Sequence, residues 1–135
     1  MEIKFRGKQV ESGEWYHGFY VKDRRDGHYI LMEYNGLATN AYSVDGNTIG
    51  QYTGLKDERG MEIFVGDIVV RRVGPEVTLM GTVIHIGGRF CIKKSRRFIK
   101  KHKSRLHVAG LGTHSDDVEV IGNIHDNPEL LKEAA

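Results

Sequence analysis

Three groups of residues in this 135-residue chain have types and spacings suited to chemistry. The first is KKSRRFIKKHKSR, Lys93 to Arg105, which holds eight of the 20 Lys and Arg residues and no acid. Clustered cations neutralise phosphates and release counterions, giving salt-dependent nucleic-acid binding. Lys93, Lys94, Arg96, Arg97, Lys100, Lys101, Lys103 and Arg105 would carry that charge. Phe98, set among them, offers a ring on which a base can stack. The competing reading is a solvated strand-loop or helix face, or a segment that docks on an acidic surface of another copy or of a host protein.

The second group is acidic: Asp57, Glu58, Glu62 and Asp67 crowd the stretch QYTGLKDERGMEIFVGDIV. Paired carboxylates are what acid–base hydrolysis requires. Charged loops are also ordinary, and this stretch reads as an exposed loop. No GxSxG, phosphate loop or dinucleotide fingerprint accompanies it. Gly110-Leu111-Gly112 is not followed by a strong helix. A hydrolase is therefore the weaker alternative, and binding without catalysis is the expectation.

The third group is the seven histidines and the single Cys91. Structural zinc takes four ligands in tight paired spacings. His102 and His107 are separated by four residues, with no HExxH and no second cysteine, so neither a metal nor another cofactor is expected. Cys91 has cations nearby that favour a thiolate, but between Phe90 and Ile92 it equally fits a strand residue facing the core. Trp15, Tyr16, Phe19 and Tyr20 could form a ligand surface, although strand alternation turns about half of such a cluster into the core.

The elements that must position these groups are mostly strands. Seventeen glycines against two prolines, spread along the chain, favour many turns and short strands over long helices. No apolar run approaches the ~20 residues of a membrane-spanning helix. The start MEIKFRGK lacks the apolar stretch of a signal peptide. One cysteine suits a reducing, cytoplasmic setting. Net charge is +2, yet outside 93–105 there are 12 basic against 18 acidic residues, so the charge is polarised.

Strands are predicted over Glu2–Arg6, Glu14–Asp23 and His28–Tyr34, with Asp26-Gly27 as a hairpin turn. Asp45-Gly46 repeats that turn signal. Further strands are predicted over Asp67–Arg72, Gly81–Ile86, Arg89–Lys94 (after Gly87-Gly88) and Asp116–Ile124. Asn127 as N-cap and Pro128 at the first helical position predict a short C-terminal helix. Helix propensity elsewhere is poor except within residues 95 to 106. The expected fold is a mainly β single domain over 1–135. It has a hairpin-rich first part, a small SH3-like barrel-type part, and a seam near 50–66.

The segments QYTGLKDERGMEIFVGDIV (51–69) and EVIGNIHDNPELL (119–131), with the opening IKFRGK, resemble the signature segments of YopX-like proteins. Residues 71–115 match no further motif. The resemblance implies a phage or prophage protein working in the cytoplasm of a bacterial host, with no catalytic residues to transfer. The recurring Tyr52, Gly54, Leu55, Asp57, Gly60, Gly66, Asp67, Asn123 and Pro128 read as architectural: glycines at turns, asparagines at bends or caps. Asp67 is placed to accept hydrogen bonds from loop amides, and Val69 and Val83 to face inward. The expected role is that of an accessory protein acting by binding, with nucleic acid as the sharper ligand. Self-assembly through strand edges or host-protein binding is the alternative.

Overall fold

In the computed structural model of the chain, the described residues are 3–34, 36–96, 98–99, 107–111 and 118–132. Eleven strands are described: β1 (Phe5–Lys8), β2 (Trp15–Lys22), β3 (His28–Tyr34), β4 (Leu37–Val44), β5 (Gly50–Lys56), β6 (Glu62–Phe64), β7 (Asp67–Val73), β8 (Glu76–Ile86), β9 (Arg89–Lys94), β10 (Val108–Gly110) and β11 (Val118–Asn123). They form two antiparallel sheets, ordered β4-β3-β2-β1-β5-β6 and β10-β9-β8-β7-β11. The chain divides into two compact units, Met1–Gly54 and Leu55–Ala135.

The first unit is built on hairpins. At the β2–β3 turn the Asp23 carboxylate accepts the N–H groups of Arg25 (2.9 Å) and Gly27 (2.7 Å), and Asp26 takes a left-handed φ of 62°. The expected turn at Asp26-Gly27 is therefore present, with the aspartates tying it. Asp45-Gly46 does something else. Asp45 caps a 3-10 turn, Gly46–Thr48, by accepting the Asn47 N–H at 3.0 Å. No hairpin forms at this point, because β4 pairs back onto β3 and not with the strand that follows it. The chain instead carries on to β5, which pairs with β1. Ile30 is fully buried in this unit.

In the second unit, β7, β8 and β9 form a meander. Gly87 and Gly88, both at positive φ, close the β8–β9 turn and set Ile86 opposite Arg89. The core is Ile63, Val69, Leu79, Val83, Ile92, Phe98, Leu111, Val118 and Val120, with Leu55, Met80, Phe90 and Ala109 packed against it. Each such side chain contributes on the order of 2 kcal/mol by leaving water. Val69 and Val83 face inward as expected, but Ile68 and Val70 are buried as well, so β7 lacks the simple in–out alternation.

Two expectations are corrected here. Closure into an SH3-like barrel needs the end strands to pair. The described pairings leave β10 and β11 as the two ends of an open sheet. The outer side of β11 is instead occupied by residues 57–59. The C-terminal helix reduces to one 3-10 turn, Pro128–Leu131. Asn127 makes no side-chain cap on it; its Oδ1 points back and accepts the Asn123 N–H at 3.2 Å.

Candidate functional site

After β5 the chain turns at residues 57–60, with Gly60 at φ +82°. The turn is closed by Asp57 N–H to Met61 O at 2.8 Å and Gly60 N–H to Asp57 O at 2.9 Å. The Asp57 carboxylate points inward. Its Oδ1 accepts the N–H groups of Arg59 and Met61, each at 2.9 Å, and its Oδ2 accepts the Val120 N–H at 3.0 Å. Burial would push this carboxyl up. The Val120, Met61 and Arg59 N–H groups, with the Arg59 guanidinium, outweigh that and hold it below the usual carboxylate range.

Around that carboxylate the turn mimics a strand partner for β11. Glu58 N–H donates to Val118 O (3.2 Å), and Arg59 Nη2 donates to Val120 O (2.7 Å). Arg59 Nη1 lies 3.9 Å from Glu119 Oε1, and the other Glu119 oxygen accepts from Arg72. The reading of these charges as an exposed loop is corrected: Glu58 and Arg59 are exposed, whereas Asp57 and Asp67 are 5% and 1% exposed. Asp67 Oδ2 accepts the Phe64 N–H at 2.7 Å, as expected for a carboxylate serving a loop amide. Gly66 (φ +98°) donates to Val83 O and accepts from Ile124 N–H, both at 2.9 Å.

The same architectural use holds upstream. Tyr52 is buried, its N–H donates to Lys4 O at 2.7 Å, and the Lys4 ammonium sits 5.1 Å from its ring. Gly54 adopts φ +85°. Nothing in the sequence marks Arg59, Glu119 and Arg72 as a trio, because their meeting depends on strand pairing across distant segments.

The basic segment begins on β9. Lys93 is exposed, with Thr82 on one side and Val108 on the other. Lys94 is half-buried and its N–H donates to His107 O at 2.8 Å. Ser95, buried, donates its N–H to Met80 O (2.9 Å), and its Oγ accepts the Phe98 N–H (3.1 Å). That bond starts a helical turn in which Arg96 is exposed. Phe98 is 9% exposed and belongs to the core. Its expected role as a stacking platform is therefore corrected: the ring is used in packing. Arg97, Lys100, Lys101, Lys103 and Arg105 lie outside the described residues.

The other candidates also resolve structurally. Cys91 is a buried free thiol. The exposed His85 stacks on Phe90 at 4.8 Å between centroids. His102 and His114 lie outside the described residues; among the described ones, no group of three or more His, Cys, Asp or Glu is placed to hold a metal. Tyr16 stacks on Tyr42 (4.0 Å) and Tyr20 lies against Phe5 (5.8 Å). The Arg6 guanidinium sits 4.8 Å from the Trp15 ring, and Phe19 is exposed.

The two segments that Asp57 and Arg59 join are the two that carry the resemblance noted in the sequence. The model of the family described as YopX protein matches residues 4–132. The chain belongs to the YopX family. Among solved structures, this YopX-family chain is similar to protein EF1440 from Enterococcus faecalis, with 25% identity and a TM-score of 0.59. That likeness covers 98% of this chain and 99% of the other. No curated protein matches it.

Proposed function

We propose that this chain is a phage- or prophage-encoded accessory protein that acts by binding in the bacterial cytoplasm. Its ligand on this reading is nucleic acid, held by the basic segment 93–105. The supporting observation is how the described residues of that segment are held. Ser95 and Phe98 are anchored inward while Lys93 and Arg96 are exposed beside them. An anchored stretch that presents cations outward is suited to phosphate contacts, which fix affinity and carry little sequence information. Among the described residues no helix is long and apolar enough to cross a membrane.

The test is retention on labelled DNA and RNA at low salt, followed by a salt titration. Replacing Lys93, Arg96, Lys100 and Lys103 with Ser should weaken binding and flatten the slope of log affinity against log salt. Each lost phosphate contact to duplex DNA lowers that slope by about 0.9. Absence of wild-type retention on both polymers at low salt rules the reading out.

A further inference from the structure

Open sheets end in strands whose outer N–H and C=O groups lack a partner strand, and such edges pair with other chains unless something blocks them. Among the described residues, three of the four edges here are short or covered. β6 and β10 have three residues each. β11 is covered by the Glu58 amide, the Asp57 carboxylate and the Arg59 guanidinium. The fourth edge, β4, has eight residues, LATNAYSV, with no charge and no proline. Its one irregularity lies near the start, where Asn40 opposes Met32 but Ala38 opposes Glu33, leaving Thr39 as an extra residue. From Asn40 to Val44 the strand pairs regularly with His28–Met32, and its other side has no described neighbour.

The residues of that edge also indicate the kind of strand it accepts. An antiparallel pairing of Asn40–Val44 with itself, centred on Tyr42, sets Ala41 opposite Ser43 and Asn40 opposite Val44. No like charges then meet, whereas a strand carrying Lys or Glu would have repelled its own copy. Ala41 and Ser43 are exposed and small, so they leave room for a neighbour at the usual ~4.8 Å strand spacing. A charged partner would find nothing here to match. A second copy of the same edge matches it throughout.

We infer that β4 pairs with β4 of a second copy across a two-fold axis, joining two six-stranded sheets into one. This contact is independent of the nucleic-acid reading and rests on different residues.

Light scattering on the full chain tests it. The expected mass is twice the 15.3 kDa of one chain, and it should hold at high salt because the interface carries no charge pairs. The double variants Ala41→Lys/Ser43→Lys and Ala41→Glu/Ser43→Glu place like charges opposite each other. Each should fall to half the wild-type mass alone and return to the dimer mass when the two are mixed. Both positions are exposed, so the fold of one copy should persist, as circular dichroism would show. A second measurement needs no variant: alternate amides of Asn40–Val44 should exchange hydrogen more slowly as wild-type concentration rises. A monomeric wild type, variants that keep the dimer mass, or β4 exchange independent of concentration would each overturn the proposal.

Discussion

The Asp57 carboxylate accepts the Val120 amide N–H at 3.0 Å across 63 positions of sequence. That bond, with Arg59 Nη2 donating to Val120 O, makes the turn at 57–60 the outer neighbour of β11. The two segments that carry the resemblance in the sequence are thus two halves of one joint. Replacing Asp57 by Ala would leave three N–H groups without their carboxylate, those of Arg59, Met61 and Val120. The Val120 donor is buried and the other two part-buried; an unsatisfied buried donor costs about 1–3 kcal/mol and the others less, so Asp57→Ala should lose on the order of 3 kcal/mol. Asp57→Asn keeps one acceptor oxygen and should lose less. Urea unfolding of both variants measures the difference.

The same carboxylate sets a pH dependence. Its folded pKa lies below that of a free aspartate, so the unfolded chain binds the proton more readily. The stability it contributes is then fully present above the unfolded value and is lost as pH falls through the folded one. Between neutral pH and about pH 5 the wild type and Asp57→Asn should differ by a constant amount. Below pH 4 the gap should close, because only the wild type loses this contribution. A gap that stays constant into strong acid would show that Val120 and Met61 do not favour the ionised form.

Gly60 and Gly66 both sit at positive φ, but they should respond differently to a side chain. A Cβ on Gly60 would meet nothing within 4 Å, so Gly60→Ala carries the conformational cost alone. A left-handed backbone costs a non-glycine residue about 1–2 kcal/mol, and that is the loss expected in thermal or urea unfolding. Gly66 has both backbone groups engaged, to Val83 within β8 and to Ile124 just past β11, so strain there reaches both. Gly66→Ala should therefore cost more than Gly60→Ala in the same measurement.

These positions show what was legible in the sequence. Gly87-Gly88 and the Asp26-Gly27 turn were readable because a hairpin is specified by neighbours in sequence. The buried face of Val83 follows from strand periodicity, which β8 keeps and β7 does not. Asp45-Gly46 has the same letters as Asp26-Gly27, yet the chain there continues to β1's far side, and no local rule says which strand will claim β5. The burial of Asp57 was illegible for a related reason: a charged turn looks exposed until β11 is known to lie beside it. The C-terminal turn misled in the opposite direction. Asn127 and Pro128 are sound helix-start residues, but Asn127 Oδ1 bonds backward to Asn123. Phe98, read as one ring among cations, is held inward by the core and by the Ser95 cap.

On the proposed nucleic-acid reading, Phe98 also separates packing from recognition in the basic segment. If its ring serves the core alone, Phe98→Leu should leave nucleic-acid affinity and its salt slope unchanged while lowering stability modestly. A volume-similar apolar exchange costs under about 1.5 kcal/mol, whereas truncation to Ala costs about 3–5 kcal/mol. Base stacking on an aromatic side chain is worth about 1–3 kcal/mol, so a stacking role would show as a clear affinity loss in Phe98→Leu. The comparison is made on folded protein, with unfolding followed by urea and binding by a salt titration on single-stranded and duplex DNA. An affinity loss confined to the single strand would restore the ring to the interface. Unchanged affinity on both would assign the interaction to the exposed cations, beginning with Lys93 and Arg96.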